Sequence, residues 1–385
     1  MKKVCIVTGT RAEYGLLKPV IDKVNKSDEL ELQLVVTGMH LSPEFGLTYK
    51  EIEGDGYPIT DKVEMLLSSD TSVGATKSMG LALMGFADYF DRQKPDITVI
   101  LGDRYEMLAA ASASMLAKIP IAHIHGGELT EGAVDDAIRH SITKMSHLHF
   151  AATEEYKNRI IRLGEQPKTV YNVGALGVEN AKSAKLLERE ELEGLLDFSF
   201  HEPVIMVTYH PVTLEKQTPK EQFQDILDVL DKHREISVIF TKANADAGGR
   251  AINQMIDGYV EKNKDRCRGY VSLGQVKYLS ALQFCGAVVG NSSSGIIEVP
   301  SFHIPTVNIG DRQKGRVRAG SVIDCGNDAG QIEAALLKGL SPEFKNKIAG
   351  SENPYEGKET SAEIVEIITG ALREGIDMKK GFYDR

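Results

Sequence analysis

The chain has 385 residues, which is more than one hydrophobic core usually supports, so we expect two domains. Its formal net charge of −10 excludes general binding to nucleic acid or to an anionic membrane surface, and no apolar run is long enough to span a bilayer. The four cysteines are scattered without a CxxC pair, so we expect free thiols and a cytoplasmic protein.

Short apolar runs alternate with helical patterns along the chain, which is typical of parallel strands in doubly wound α/β domains. After residues 174–177 (GALG) a charged stretch begins, and it separates a first domain, residues 1–178, from a second, residues 179–385. A helical stretch near residues 364–372 could return to the first domain. The predicted strands are residues 4–7, 32–36, 97–101, 119–124, 148–152 and 170–173, then 204–207, 236–240, 270–273, 287–289, 306–309 and 322–323.

Doubly wound domains bind ligands at the carboxyl ends of their strands, so the loops there form the candidate site. The first loop, residues 8–15 (TGTRAEYG), is neither GxGxxG nor a P-loop, which disfavours a dinucleotide or ATP. Arg11 in this loop could reach a phosphate. After the strand at residues 97–101, Asp103 offers a carboxylate and Arg104 a guanidinium suited to anionic oxygens, although a local salt bridge would explain the same pair.

Two histidines and an acid follow the strand at residues 119–124. If that strand continues, His123 and His125 share one face, and the two glycines after them let the backbone approach a ligand. Together with Glu128 the histidines could also hold a metal ion. No further ligand has a matching spacing, so we expect no metal here.

A helix near residue 135 would place acids beside basic side chains. Asp135 and Arg139 are neighbours at i,i+4, and so are Asp136 and His140. Acids in a first helical turn also suit the helix dipole, which is a purely structural explanation. A carboxylate beside an imidazole at the edge of a cleft is equally what proton transfer needs.

A serine-rich turn, residues 290–295 (GNSSSG), separates an apolar strand from a helical pattern in the second domain. Unpaired backbone N–H groups and the helix dipole make such a turn suited to a phosphate, with Ser292 and Ser293 as contacts. Glu298, one turn further on, is placed to accept hydrogen bonds from sugar hydroxyls. A serine-rich helix cap without a ligand would explain the same pattern.

Three further residues suit a nucleotide in the second domain. Pro211 holds His210 in an extended conformation at a strand exit, where its imidazole could contact a diphosphate. Asn244 follows another strand and could contact a ribose or a base. Arg312 opens a short basic segment, and a basic patch on an acidic protein suits a small anionic ligand.

Together these motifs resemble the UDP-N-acetylglucosamine 2-epimerase family over nearly the whole chain, and they are closest to its hydrolysing branch, whose bacterial members feed sialic acid synthesis. Each motif alone is weak, but their order and joint presence are specific. The matching segments are residues 9–14 (GTRAEY), 37–40 (TGMH), 102–106 (GDRYE), 123–128 (HIHGGE), 138–140 (IRH), 290–295 (GNSSSG) and 310–316 (GDRQKGR).

The resemblance implies the GT-B architecture, two Rossmann-like domains with the active site in the cleft between them. It also implies that Asp103 and Asp135 are the catalytic acid/base groups. Non-hydrolysing and animal members carry a catalytic Glu where this chain has His125, so His125 or Glu128 could share that role. The positions that match UDP contacts are Arg11, Arg104, His210, Asn244, Ser292, Ser293, Glu298 and Arg312; we add His123 and Arg139 as substrate-binding candidates and His210 as a catalytic one.

The implied reaction converts UDP-N-acetylglucosamine and water into N-acetylmannosamine and UDP, without a cofactor. The expected partners are the UDP-sugar and further copies of the chain, in a homodimer or homotetramer. A UDP-N,N'-diacetylbacillosamine substrate, of the legionaminic acid pathway, stays open because it differs only at C4 and C6. The same nucleotide-binding loops would also serve a non-hydrolysing epimerase, a GT-B glycosyltransferase or a non-catalytic nucleotide-sugar-binding regulator.

Overall fold

The computed structural model describes residues 1–67, 69, 71–130, 134–212, 218–243 and 248–384. The chain divides into two compact units, each built on one parallel sheet. The first unit comprises Met1–Glu128, Val134–Asn180 and Tyr355–Arg385, and the second comprises Leu129–Ala133 and Ala181–Pro354.

The strands of both sheets are short, apolar and mostly buried, as strands covered on both faces must be. In chain order they are β1 Lys2–Thr8, β2 Leu30–Thr37, β3 Ile59–Val63, β4 Ile97–Leu101, β5 Ile121–Ile124, β6 Leu148–Ala151, β7 Val170–Asn172, β8 Val204–Thr208, β9 Ser237–Thr241, β10 Cys267–Tyr270, β11 Ala287–Gly290, β12 Thr306–Ile309 and β13 Val322–Cys325.

Helices connect these strands, with short 3₁₀ turns among them. In chain order they are α1 Arg11–Asn25, α2 Tyr49–Gly54, α3 Ser72–Gln93, α4 Tyr105–Leu116, α5 Asp135–Met145, α6 Glu154–Arg162, α7 Leu176–Ser183, α8 Arg189–Leu196, α9 Pro219–Lys232, α10 Gly249–Lys262, α11 Gly274–Leu282, α12 Ser294–Ile297, α13 Ala329–Leu340, α14 Pro342–Ile348 and α15 Thr360–Glu374.

The first unit has a seven-stranded sheet in the order β3-β2-β1-β4-β5-β6-β7. The strand order reverses between β1 and β4, and the carboxyl ends beside such a switch point are where doubly wound sheets bind ligands. The loops that open with Gly9 and with Gly102 follow these two strands directly. Helix α15 packs on the same core, where Ile364 and Ile368 join Leu17 of α1 in one buried cluster.

The second unit repeats the plan with a six-stranded sheet in the order β10-β9-β8-β11-β12-β13. Its switch point lies between β8 and β11, which pair in parallel from Ile205 with Ala287 to Thr208 with Gly290. The turn after β8 carries His210, and the turn after β11 is the serine-rich segment. Two parallel sheets with alternating helices are therefore confirmed.

Two strands differ from the sequence-based prediction. Strand β3 was not predicted, because its sequence ITDKV has three consecutive polar residues and only Val63 is buried. The strand predicted at residues 270–273 is instead Cys267–Tyr270, and Val271 just beyond it is exposed. Both strands lie at an edge of their sheet, and most of their residues are at least partly exposed. The continuous apolar run that marks a buried strand is therefore weak or displaced.

Candidate active site

Arg139 of α5 contacts Asp103, the backbone of Glu128 and Asp136, all in the first unit. Its side chain is almost fully buried, and its Nη2 atom forms an ion pair with Asp103 Oδ2 at the end of β4. Its Nη1 atom donates to the Glu128 carbonyl oxygen at 2.9 Å and lies 3.3 Å from Asp136 Oδ1. One planar guanidinium with several fixed donors can hold three segments at once in this way. Asp103, Glu128 and the start of α5 are therefore brought together.

Asp135 is the first residue of α5, and it is partly exposed. The acid of that turn that contacts His140 is Asp136, whose Oδ2 lies 3.5 Å from His140 Nε2. The predicted i,i+4 pair of Asp136 and His140 is thus present. The Asp136 carboxylate faces both the Arg139 guanidinium and the His140 imidazole, which is a setting suited to proton transfer.

His123 is fully buried, and both of its ring nitrogens contact protein groups. Burial lowers the pKa of His123 to about 3, so the ring is neutral at pH 7. Its Nε2 lies 2.8 Å from the Gly102 carbonyl oxygen, which can only accept, so Nε2 carries the proton. Its Nδ1 then accepts from the Thr143 hydroxyl of α5 at 3.2 Å. This geometry favours a structural bridge between the β4 turn and α5 over direct contact with a substrate.

His125 does not continue the strand. Strand β5 ends at Ile124, and His125 has a left-handed backbone with φ of 65°. The prediction that His123 and His125 share one strand face was therefore wrong, because alternation stops at residue 124. Non-glycine residues with such φ values are costly and concentrate at functional sites. The His125 imidazole is buried, with Nδ1 3.6 Å from Glu128 Oε1.

Arg104 and a pair of buried acids lie at the switch point of the first sheet. Arg104 Nε donates to Glu106 Oε1 at 2.6 Å, and the Glu106 side chain is only 1% exposed. Glu13 accepts hydrogen bonds from the backbone N–H groups of Gly9 and Thr10. Burial, reinforced by the charge of Glu106, raises the pKa of Glu13 to about 8. Neither acid was predicted as a site residue, although the Thr-x-x-Glu capping box is a sequence signal for Glu13.

Arg11, at the start of α1, makes a half-exposed contact. Its Nε lies 2.8 Å from Glu51 Oε2, and both side chains are about a third or more accessible to solvent. Surface pairs of this kind contribute little to stability, so Arg11 can exchange Glu51 for a phosphate at small cost. Its role as a UDP contact stays a prediction.

Asn291 organises the serine-rich turn of the second unit and was missed from the sequence. It is fully buried; its Oδ1 accepts from the His210 backbone N–H at 2.7 Å, and its Nδ2 donates to the His210 carbonyl at 2.8 Å. Gly290 before it has φ of 139°, and a Cβ atom there would collide with the Thr208 carbonyl. The Asn291 side chain thus joins the turn after β11 to the backbone of the turn after β8.

Ser292 and Ser293 are half-buried at the entrance to α12. That helix has only four residues, Ser294–Ile297, and a 3₁₀ turn follows. Its dipole is therefore weaker than the sequence pattern suggested. The N–H groups of Gly295, Ile296 and Ile297 donate to the Ser292 and Ser293 carbonyl oxygens within the turn. Ser294 is engaged, since its Oγ lies 2.7 Å from the Tyr278 hydroxyl. Glu298, at the C-terminal cap of α12, is partly buried.

Arg312 is fixed by the same turn. Its Nη1 donates to the Asn291 carbonyl at 3.0 Å. Gln313, which was not predicted as a site residue, donates to the same oxygen at 2.8 Å. Arg318, further along the basic segment, pairs with Asp324 at 2.7 Å. Asn244 lies outside the described residues.

The described part of the chain lacks two kinds of feature. No group of three or more His, Cys, Asp or Glu side chains there could hold a metal ion. Nor does that part contain a helix with the length and apolar character needed to cross a membrane.

Comparison with known proteins agrees with this architecture. A family model described as UDP-N-acetylglucosamine 2-epimerase matches residues 22–369. The chain is 46% identical over 344 residues to the GDP/UDP-N,N'-diacetylbacillosamine 2-epimerase (hydrolyzing) of Campylobacter jejuni, covering 89% of each chain. It is 38% identical over 385 residues to polysialic acid biosynthesis protein P7 of Escherichia coli, covering 100% of this chain and 98% of that protein.

The crystal structure of the Neisseria meningitidis UDP-GlcNAc 2-epimerase bound to UDP-GlcNAc has the same fold. Its TM-score is 0.79 at 20% identity, with 97% of this chain and 100% of that chain covered. Two Rossmann-like units that match this fold define the chain as a GT-B protein. The chain belongs to the UDP-N-acetylglucosamine 2-epimerase family, in its hydrolysing branch.

Proposed function

We propose that this protein hydrolyses a UDP-linked 2-acetamido sugar, inverting the configuration at C2 and releasing UDP. The observation that carries the proposal is the arrangement around Arg139. A buried guanidinium holds Asp103 at a strand end, beside Glu128 and the acid-rich start of α5. Pre-organised acid and base groups at the ligand-binding edge of a doubly wound sheet suit proton abstraction from carbon.

The proposed reaction has two steps, and Asp103 and Asp135 are its acid/base groups. First, a base removes the C2 proton, the C1–C2 double bond forms, and the C1–O bond breaks with its electron pair leaving on UDP. Water then adds across the double bond of the glycal, with hydroxyl at C1 and a proton at C2 from the opposite face. His125 or Glu128 shares the proton transfers. The sum is substrate plus water giving the free epimeric sugar plus UDP.

The proposed UDP contacts come from residues that can stabilise a departing diphosphate. In the second unit they are His210, Ser292, Ser293 and Arg312, with Asn244 and Glu298 for the nucleoside. Arg11 and Arg104 add guanidinium groups from the first unit. Donors aimed at the charge that develops on a leaving group are among the largest contributions to catalysis.

The names of the similar proteins suggest which sugar the substrate carries. The Campylobacter relative is named for a diacetylbacillosamine substrate at 46% identity, and the Escherichia relative for polysialic acid biosynthesis at 38%. We therefore propose UDP-N,N'-diacetylbacillosamine as the first substrate to test, ahead of the UDP-N-acetylglucosamine expected from the sequence. A GDP-linked form of the same sugar belongs in the same test.

The test is an incubation of the purified protein with each of the three nucleotide sugars, followed by NMR identification of the sugar and quantification of released nucleotide. We expect free C2-epimerised sugar and nucleotide in equal amounts with at least one substrate. A nucleotide-linked epimer without free sugar would place the chemistry in the non-hydrolysing class. Binding without turnover of any of them would instead favour a regulator.

A further inference from the structure

The C-terminal segment after α15, residues 376–384, packs against the end of α5. We call this segment the tail. Its Lys380 ammonium donates to the carbonyl oxygens of Lys144 at 2.7 Å and Ser146 at 2.6 Å, with a longer contact of 3.4 Å to Thr143. The last carbonyls of a helix have no intrahelical partner, and a cation there also interacts favourably with the helix dipole. Lys380 is thus a C-terminal cap for α5 supplied from the far end of the chain.

A buried carboxylate holds Lys380 in this position. Glu165 is 1% exposed, and its Oε2 lies 2.6 Å from Lys380 Nζ and 3.1 Å from His149 Nε2. Its Oε1 lies 2.6 Å from Lys144 Nζ. Burial opposes ionisation of Glu165, but the hydrogen bonds from His149, Lys144 and Lys380 outweigh it and lower its pKa to about 2. Removing Lys380 would leave a buried carboxylate short of one charge partner.

Two further residues of the tail, Phe382 and Tyr383, also contact this region. The Tyr383 backbone N–H donates to the Gly164 carbonyl at 2.8 Å. The Phe382 ring lies so close to Gly164 that a Cβ atom there would collide with it. The Lys144 ammonium lies 4.9 Å from the centre of the same ring. These contacts all fall on α5 or on the turn after α6, next to the cluster around Glu165.

Helix α5 connects this cluster to the proposed catalytic groups. It has only 11 residues, so its two ends are about 16 Å apart. Thr143, in its last turn, contacts His123, which in turn holds the Gly102 carbonyl next to Asp103. Arg139, one turn earlier, binds Asp103 directly. A shift of the C-terminal end of α5 would therefore move Asp103 in two ways, through His123 and through Arg139.

We propose that the tail, through Lys380, is a positioning element for the reaction. It fixes the position of α5, so that Arg139 holds Asp103 and Thr143 holds His123 in the places that the reaction needs. The inference rests on the proposed function for its catalytic consequence, but not for its structural one. Lys380 touches no reacting atom; it acts through α5.

The test compares Lys380→Met, which keeps the aliphatic stem and removes the charge, with Lys380→Arg and with Lys379→Met. Lys379 is the exposed neighbour in the same tail and serves as the matched control. We expect Lys380→Met to lower kcat by roughly tenfold to a hundredfold, the scale of a remote misplacement of a catalytic group, with KM and UDP affinity unchanged. Lys380→Arg should restore most of the rate, and Lys379→Met should match the wild type.

Hydrogen exchange provides the readout that does not depend on turnover. Amides of α5 should exchange faster in Lys380→Met than in Lys379→Met, while those of α9 in the second unit stay the same. Phe382→Ala removes the ring next to Gly164 and Lys144 but keeps the ion pair between Lys380 and Glu165. It should show a smaller change in the same direction, and it covers the case in which Lys380→Met does not fold. Unchanged exchange in α5 with both variants would overturn the proposal. A wild-type protein without activity on any UDP-sugar would count against the proposed function alone.

Discussion

Asp103 is the proposed acid/base group with the most clearly defined partner. It lies at the end of β4 with its carboxylate on a buried guanidinium. We predict that Asp103→Asn lowers turnover by roughly 10²–10⁴-fold, the usual contribution of a general acid or base, because an amide cannot exchange the proton. UDP affinity should remain near that of the wild type.

The measurement for Asp103 is steady-state turnover together with calorimetric titration of UDP. Asp88→Asn, an exposed acid on α3, is the matched control and should behave as the wild type. If Asp103→Asn kept a near-native rate, Asp103 would have no part in proton transfer.

The buried His123 should make the free energy of unfolding depend on pH. Its pKa in the folded protein is lowered by burial to about 3, against about 6.5 for an unperturbed histidine. The unfolded chain therefore binds more protons than the folded one between these values, so the free energy of unfolding falls as pH drops from about 6.5 towards 3. His123→Asn should be less stable than the wild type at pH 7, and the gap should narrow on acidification.

Urea unfolding of both proteins at several pH values from 7 to about 4 measures this difference. A gap that stayed constant over the whole range would show that His123 is not the buried neutral histidine described above.

The turns after β8 and β11 together carry the proposed nucleotide contacts of the second unit. Asn291 clamps both backbone polar groups of His210, and its own carbonyl oxygen receives Arg312 and Gln313. We predict that Asn291→Ala weakens UDP binding by on the order of tenfold, because the buried His210 backbone groups lose partners worth about 1–3 kcal/mol and the turn moves.

Calorimetric titration of UDP against Asn291→Ala provides the measurement. Asn346→Ala, at an exposed position of α14 in the same unit, is the control and should leave the affinity unchanged. If a folded Asn291→Ala protein bound UDP with native affinity, this turn would make no contribution to nucleotide binding.

At the scale of the whole molecule, the proposed mechanism fixes where the atoms of the product come from. If elimination precedes hydration, the proton at C2 of the product derives from solvent and the oxygen at C1 derives from water. In D₂O the free sugar should carry deuterium at C2. In H₂¹⁸O, sampled before the anomeric oxygen exchanges, the label should be at C1 and absent from UDP.

Mass spectrometry and NMR of the isolated sugar and UDP distinguish the routes. Substrate-derived hydrogen retained at C2 would exclude elimination. Heavy oxygen in UDP would instead indicate attack of water at phosphorus, with cleavage of the P–O bond.

Much of this protein could be read from the sequence, because buried parallel strands have continuous apolar runs and turns at their carboxyl ends have distinctive polar residues. Both sheets followed from such local patterns, whereas the family came from the resemblance of the joint motifs to known epimerases, and the GT-B class was implied by that resemblance. Strand β3 was not predicted, because an edge strand with one buried residue lacks that pattern. The end of β5 before His125 was also hidden, since a single left-handed residue leaves no periodic signal.

Only the tertiary structure decided which of these residues meet. Arg139 was expected beside Asp135 on one helix, and its ion pair with Asp103, 36 positions away in the chain, was not predicted. Asn291 looked like one more polar residue in a serine-rich turn, and its grip on His210 spans 81 positions. The cap of α5 by Lys380 joins residues more than 230 positions apart. Local sequence specifies strands, helices and turns through short-range sterics and hydrophobic periodicity, whereas partners in buried polar contacts depend on how distant segments pack.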